Sequence, residues 1–459
     1  MGAGSTSDVV VVGLGPGGED AATKLAGAGL SVTAVDHGLV GGECPYWGCV
    51  PSKMMIRAAN LLAEARRVPG MAGRAEVVAD WAPVAGRVRE ATDGWDDRVA
   101  VERLEGHGVR FVRGTARLRD PGAVEVDGTV LEARRALLLD SGTGPWAPPV
   151  PGLDELAYWT NRQAVEAETL PASLVVLGGG AIGAELAQVF ARFGVEVSVV
   201  EVADRLLALE EPEAGALLAE VFAEEGIAVH TGTGVAAARR DADDGAVVVE
   251  LADGTVVRGE RLLVATGRRP DLAALGAAAI GVDESARALP TDGHMRVVPG
   301  VWAVGDVTGK GAFTHMSMYQ AAVAVDDILG RPGTGAEYHA VPRVTFTDPE
   351  IGSVGLSEAQ ARQAGMDVRT GSTQLPVSAR GWIHKAGNDG FVKLVEDAGR
   401  GVLVGATSAG PCGGEVLSML TLAVHAEVPV ETLAGMIYAY PTFHRAVEDA
   451  LRDLRSRQQ

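Results

Sequence analysis

One plan occurs twice in this chain: an apolar run enters a glycine cluster, a helical stretch follows, and a second apolar run ends in an acid. The first copy is Val9-Val10-Val11-Val12-Gly13-Leu14-Gly15-Pro16-Gly17-Gly18, with Asp36 closing Ser31-Val32-Thr33-Ala34-Val35. The second is Leu174-Val175-Val176-Leu177-Gly178-Gly179-Gly180-Ala181-Ile182-Gly183, with Glu201 closing Val197-Ser198-Val199-Val200. In each copy the acid stands 23 residues beyond the first glycine. A lone glycine triplet of this spacing is a weak signal, but strand, glycines, helix, strand and acid in register twice predict two Rossmann-type dinucleotide-binding units.

The glycines have separate tasks. Gly13 and Gly178 permit the tight turn, Gly15 and Gly180 let the backbone approach a pyrophosphate, and Gly18 and Gly183 let helix pack closely on strand. A pyrophosphate then rests on the helix N-terminus, where unpaired N–H groups and the dipole favour an anion. Asp36 and Glu201 are placed to accept ribose hydroxyls. A carboxylate at that point favours NADH, because a 2′-phosphate would meet like charge. Arg205, four residues beyond Glu201, offers a phosphate partner and keeps NADPH as the alternative.

Two of the three cysteines, Cys44 and Cys49, lie in Gly41-Gly42-Glu43-Cys44-Pro45-Tyr46-Trp47-Gly48-Cys49-Val50-Pro51-Ser52-Lys53. A closed local loop brings sulfurs at this spacing to disulfide distance. Pro51 suits the first turn of an apolar-periodic helix predicted over 53–66. Cys49 then sits beside a helix N-terminus, where partial positive charge favours the thiolate. The other reading is a pair of buried, inert cysteines. Three cysteines do not make a disulfide-stapled secreted framework, and a cycling dithiol suits a reducing cytoplasm.

The length of 459 residues leads us to expect two to four domains. A formal net charge of -20 opposes nonspecific binding to nucleic acid or anionic membranes, so no nucleic-acid partner is expected. No apolar stretch is long enough to span a bilayer. The start Met1-Gly2-Ala3-Gly4-Ser5-Thr6 matches a myristoylation pattern but runs straight into a predicted strand without a polybasic second signal, and is read as a chance match. The expected location is the cytoplasm, with no membrane association. No histidines stand at metal-ligand spacing, and no catalytic metal is expected.

The order of these motifs resembles that of the pyridine nucleotide-disulfide oxidoreductase family, which includes lipoamide dehydrogenase, glutathione reductase, mercuric reductase and soluble transhydrogenase. The resemblance covers nearly the whole chain. It implies an α/β fold with two Rossmann-type domains and a C-terminal α+β dimerisation domain. The corresponding division is 1–150 for the first part of an FAD-binding domain, 151–272 for an NAD(P)-binding domain, 273–337 for the return to the FAD domain, and 338–459 for the interface domain. The Pro-rich stretch 145–151 and the change to strand-rich alternation after Val341 fit these boundaries. A homodimer follows, in which each active site borrows C-terminal residues from the partner subunit.

The same resemblance implies an electron route from NAD(P)H to FAD, then to a Cys44-Cys49 disulfide and a small-molecule acceptor. Cys49 is the flavin-proximal sulfur and Cys44 the exchange sulfur. Lys53 stands against the flavin, paired with Glu185 of Gly183-Ala184-Glu185. Asp306, in Val304-Gly305-Asp306, belongs to the FAD domain and hydrogen-bonds the ribityl chain. Gly142 and Gly267, in the turns closing two further apolar runs, complete the cofactor set. A helix predicted over 316–329 points its N-terminus at the flavin, and His315 just before it is a candidate cofactor neighbour. Cys412 has no thiol near it in sequence and is expected to be buried or at an interface.

The C-terminal run departs from the thiol-reducing members. Many carry His-Pro-Thr followed three residues after the Thr by Glu, whereas this chain has Tyr440-Pro441-Thr442-Phe443-His444-Arg445. Tyr440 stands in the place of the acid/base histidine and Arg445 in that of the glutamate. Arg445 either pairs with Glu448 or Asp449 on the surface or faces the substrate channel to receive an anion. His444 is a candidate for the missing acid/base function.

The leading reading is therefore an FAD-dependent NAD(P)H disulfide oxidoreductase whose acceptor is a disulfide or another small molecule. Lipoamide and glutathione are disfavoured by the missing His/Glu pair. Mercuric reduction is disfavoured by the run Arg455-Ser456-Arg457-Gln458-Gln459, which lacks the added cysteine pair of that activity. A soluble-transhydrogenase-like or quinone/electrophile reductase acting directly from flavin is the alternative, and a non-catalytic flavoprotein binding component is a third class.

Overall fold

The structure is a computed structural model describing residues 5–456; the rest of the myristoylation-like start and Arg457-Gln458-Gln459 lie outside the described residues. Two compact units share the chain. The first takes the chain up to Ser52, then Gly86–Trp146 and Gly267–Tyr338; the second takes Lys53–Ala85, Ala147–Thr266 and the chain from His339 onward.

In the first unit the strands Arg296–Val298, Val301–Ala303, Thr129–Leu139, Ser5–Val12, Val32–Asp36 and Val109–Arg113 run in that order across one sheet. All these pairings are parallel except the one between Arg296–Val298 and Val301–Ala303. Alternate residues feed different cores. Val9, Val11, Ala34 and Leu138 pack on one face with the helix Pro16–Gly27, while Val10, Val12, Val35 and Leu139 pack on the other. Burial on both faces is why these strands are continuous apolar runs instead of alternating ones.

The second unit holds a four-stranded parallel sheet in the order Ala228–Thr231, Glu196–Glu201, Ser173–Leu177, Arg261–Val264. A three-stranded antiparallel sheet, Val235–Arg240, Val247–Leu251 and Val256–Gly259, accompanies it. After His339 comes a five-stranded antiparallel sheet in the order Pro342–Thr345, Glu350–Gly355, Val402–Gly410, Phe391–Asp397, Val368–Gln374. Leu417, Leu420 and Val424 of Gly413–His425 share its core with Val447, Leu451 and Leu454 of Ala446–Ser456. This is the α/β class, with two nucleotide-type parallel sheets and an α+β C-terminal part.

Helix ends differ from the sequence reading. The helix predicted over 53–66 begins at Cys49, with Pro51 in its first turn, where a missing N–H costs nothing. The one predicted over 316–329 is Thr314–Ile328. The last helix is Ala446–Ser456, preceded by a 3-10 turn Phe443–Arg445, so Arg445 lies just before its first α-helical turn. Glu448 and Asp449 occupy that turn, the side the dipole favours.

Candidate functional site

The two glycine loops are built alike. Gly13 and Gly178 have φ of +91° and +107°, and the N-cap residues Gly15 and Gly180 are extended, at φ/ψ of -65°/-179° and -75°/-177°, without a side-chain cap of their own. A methyl group on Gly13 would run into the Asp140 carbonyl and one on Gly178 into the Ala265 carbonyl. On Gly18 and Gly183 it would strike the carbonyls of Gly13 and Gly178. By contrast, a Cβ on Gly180, Gly142 or Gly267 would meet nothing within 4 Å. A tight inner face in both loops and an open helix start at Gly180 fit diphosphate groups, whereas Gly15 has the Asp140 carboxyl 2.9 Å from where its Cβ would lie.

Asp36 and Glu201 also brace these loops, a task the sequence reading missed. Asp36 Oδ2 accepts the Leu14 N–H at 2.6 Å and Oδ1 that of Gly38 at 2.7 Å. Glu201 Oε2 accepts the Gly179 N–H at 2.6 Å and Oε1 that of Ala203 at 2.7 Å. Each carboxylate oxygen keeps acceptor capacity for a ribose hydroxyl. Arg205 Nη1 pairs with Asp204 at 3.0 Å and Nη2 donates to the Ala208 carbonyl at 3.0 Å.

The cysteine loop leans on the first glycine loop. Gly41 and Gly42 have φ of +107° and +68°, and a Cβ on Gly42 would come 2.9 Å from Gly15 Cα. A short helix Glu43–Tyr46 follows, and the Trp47 and Gly48 amides both turn back to Glu43 O, at 2.8 and 2.7 Å. Cys49 then opens the helix Cys49–Arg66. Both cysteines are free thiols, Cys44 half-buried and Cys49 exposed. A hydrogen bond to Cys49, together with burial, pushes the Cys44 thiol up, while Thr314 opposes the shift. Cys49 stands at the helix start, where partial positive charge favours a thiolate.

Thr314 Oγ1 also lies 3.4 Å from Cys49 Sγ. The sequence reading overlooked it, because Thr314 and Cys49 are 265 residues apart. Its neighbour His315 stacks on Phe313 with centroids 5.2 Å apart. In the turn Gly305–Thr308, Asp306 Oδ2 accepts from Thr143 Oγ1 at 2.8 Å. Arg268 Nε donates to the same hydroxyl at 3.0 Å. Burial raises the Asp306 carboxyl, with Thr143 and Arg268 acting against it.

In the second unit Lys53 Nζ lies 2.7 Å from Glu185 Oε2 and 4.7 Å from the centroid of Phe346. Glu185 Oε1 accepts the Phe346 N–H at 2.8 Å. On the C-terminal turn Tyr440 is 70% exposed, and the Arg445 guanidinium stands 5.4 Å over its ring. Arg445 also pairs with Glu448 at 3.0 Å. His444 Nε2 is 3.5 Å from Thr442 Oγ1, and its ring lies beside Tyr438. Cys412, expected to be buried or at an interface, is exposed in the chain, next to the start of Gly413–His425. Among the described residues no three of His, Cys, Asp and Glu gather as metal ligands, and no helix is long and apolar enough to cross a membrane.

Residues 7–326 match the family described as Pyridine nucleotide-disulphide oxidoreductase, and residues 341–451 match its dimerisation domain. The chain is 34% identical to a dihydrolipoyl dehydrogenase of Haloferax volcanii, over 97% of this chain and 95% of that protein. It is 35% identical to a mercuric reductase of Streptomyces lividans, over 98% and 96%. Among solved structures, LpdA from Mycobacterium tuberculosis superposes with a TM-score of 0.84 at 27% identity, covering 98% of this chain and 99% of that one.

Proposed function

Because the chain belongs to the pyridine nucleotide-disulphide oxidoreductase family, whose members are FAD-dependent NAD(P)H oxidoreductases, we propose that Cys44 and Cys49 are its electron outlet and that NADH is its preferred donor. The observation that carries the reading is the pair of free thiols in one closed loop, with Cys49 opening its helix and its Sγ 3.4 Å from Thr314 Oγ1. FAD, when bound, supplies the two-electron link between nicotinamide and disulfide. The two glycine loops hold the dinucleotides, and Asp306, Gly142 and Gly267 complete the cofactor-binding set. Lys53, oriented by Glu185 at 2.7 Å, stabilises negative charge arriving near the end of its side chain.

In the reduced pair, Cys49 holds the thiolate and Cys44 gives up its proton when it attacks. For a disulfide acceptor, the Cys44 sulfur bonds to one acceptor sulfur and the other leaves as thiolate. Cys49 then attacks Cys44, the second acceptor thiolate leaves, and the Cys44-Cys49 bond is restored. Protons come from His444 or solvent, because Tyr440 stands in the place of the acid/base histidine of thiol-reducing members. A transhydrogenase-like or quinone-reducing activity is the second reading, favoured by the missing His/Glu pair.

The dimerisation-domain match supports a homodimer. Val377, Trp382, Leu422 and Ile437 are 80%, 77%, 63% and 96% exposed in the single chain, more apolar surface than one C-terminal domain leaves bare without a partner. We divide the chain into an FAD-binding domain with a return segment, an NAD(P)-binding domain and an interface domain, and place the protein in the cytoplasm, where dithiols stay reducible.

The test is anaerobic titration of FAD-loaded protein with NADH, followed by an acceptor screen of disulfides, quinones and oxidised nicotinamides. Loss of the yellow flavin absorbance and its return on adding one acceptor is the expected result. A flavin spectrum unmoved by both NADH and NADPH would refute the reading.

A further inference from the structure

The two glycine loops differ at one position that matters to an anion. After the strand Thr129–Leu139 comes Asp140, whose N–H donates to Val12 O at 2.7 Å. The matching place after Arg261–Val264 is Ala265, whose N–H donates to Leu177 O at 2.8 Å. Only the first loop therefore receives a side chain from this strand end. Asp140 Oδ2 accepts the Gly18 N–H at 2.7 Å, in the first turn of Pro16–Gly27. Oδ1 lies 3.4 Å from Ser317 Oγ on Thr314–Ile328. A methyl on Gly15, Gly18 or Gly305 would press on this carboxyl, and one on Gly17 would press on Ser317. Backbone from three segments is thus shaped around one acid that is 5% exposed.

We propose that Asp140 is the positioning residue of the FAD diphosphate site: it caps the Pro16–Gly27 helix from a neighbouring strand and holds the glycine loop, the Gly305–Thr308 turn and the first turn of Thr314–Ile328 in register. This rests on the FAD reading above. Asp140 does so as a neutral acid, with Oδ2 accepting the Gly18 N–H at 2.7 Å and Oδ1 accepting from Ser317 Oγ at 3.4 Å. Burial raises its carboxyl well above the usual carboxylate range, and the charges that add to the shift are Asp306 and Asp36. Among the described residues no lysine, arginine or histidine pairs with it. Ionised, it would place a full negative charge on the amides that a diphosphate needs, competing with the ligand for the same helix start.

The sign of the pH effect follows. Folding favours the protonated acid, so stability falls as pH rises above the acid's unfolded pKa toward its raised folded value; FAD binding also favours it, and weakens as pH rises past the raised pKa of the flavin-free folded protein. In the wild type the FAD dissociation constant, read from the fluorescence of released flavin, should climb with pH, by at most about tenfold per unit for one proton. Asp140→Asn, neutral at every pH, should lose that climb. Flavin-free Asp140→Asn should also melt higher than flavin-free wild type at neutral and alkaline pH, with the difference closing below about pH 4.

Parallel pH profiles for wild type and Asp140→Asn would overturn the proposal. Should Asp140→Asn not fold, infrared spectra replace it: wild type at neutral pH should show a protonated-carboxyl band that shifts on adding FAD and is missing from Asp140→Ala, the residue type the second loop carries. No such band would equally overturn it. A protein that takes up no FAD at any pH sinks the flavin reading instead, and leaves the flavin-free melting profile and the infrared band to judge Asp140.

Discussion

Glu185 is shared between two partners: one oxygen is 2.7 Å from Lys53 Nζ, and the other takes the Phe346 amide at 2.8 Å. The side chain is almost fully buried, so it holds Lys53 in one place instead of letting the ammonium wander on a four-carbon stem. Glu185→Gln, which keeps the amide contact and removes the charge, should slow flavin reduction by NADH by about tenfold to a hundredfold. Glu185→Ala should in addition lower stability by about 1–3 kcal/mol, because a part-buried N–H loses its acceptor. Stopped-flow reduction and denaturant melts check both; equal rates for wild type and Glu185→Gln would remove Lys53 from the reaction.

The two cysteines should separate by spectrum. If Cys49 is the thiolate beside the flavin, reduction by NADH produces a long-wavelength absorbance band that Cys49→Ser lacks, whereas Cys44→Ser shows the band before any reductant is added. Identical spectra in both variants would return the pair to inert thiols.

Donor preference should follow Glu201. Its two oxygens fasten Gly179 and Ala203 at 2.6 and 2.7 Å, so a carboxylate is held at the loop and a 2′-phosphate would meet its charge. The expected kcat/KM is higher for NADH than for NADPH. Glu201→Gln should narrow the gap. A wild type preferring NADPH would show that Arg205 dominates.

Acceptor choice should follow the C-terminal turn. His444→Ala should slow acceptor turnover and leave flavin reduction by NADH intact, while Arg445→Ala should chiefly raise the acceptor KM. Dihydrolipoamide oxidation by the wild type should be slow. Rapid oxidation, or indifference of every acceptor to both substitutions, would leave Arg445 with only its surface pair to Glu448 at 3.0 Å.

What could be read from the sequence was what is written locally. A positive φ at the first glycine, a helix starting at the second and an acid ending the next strand depend on neighbours within one βαβ stretch, so spacing alone located Gly13, Gly15, Gly18, Gly178, Gly180 and Gly183. Continuous apolar runs announced strands buried on both faces, and with them the α/β class. The Cys44 and Cys49 loop was legible for the same reason, since its turns close on Glu43 within the loop itself. The rest was decided by contacts between distant segments. Asp140 and Gly18 are 122 residues apart, Lys53 and Glu185 132, Glu185 and Phe346 161. Nothing in the local pattern of Leu139-Asp140-Ser141 says that its carboxyl will be sealed from water against a glycine loop, where it caps the Gly18 amide. Sequence determined the loops and the strands and helices that flank them. Only the tertiary structure, by bringing strand ends and helix starts together away from water, decided which carboxyl braces a loop, which one orients a lysine and which one caps a helix from a distant strand.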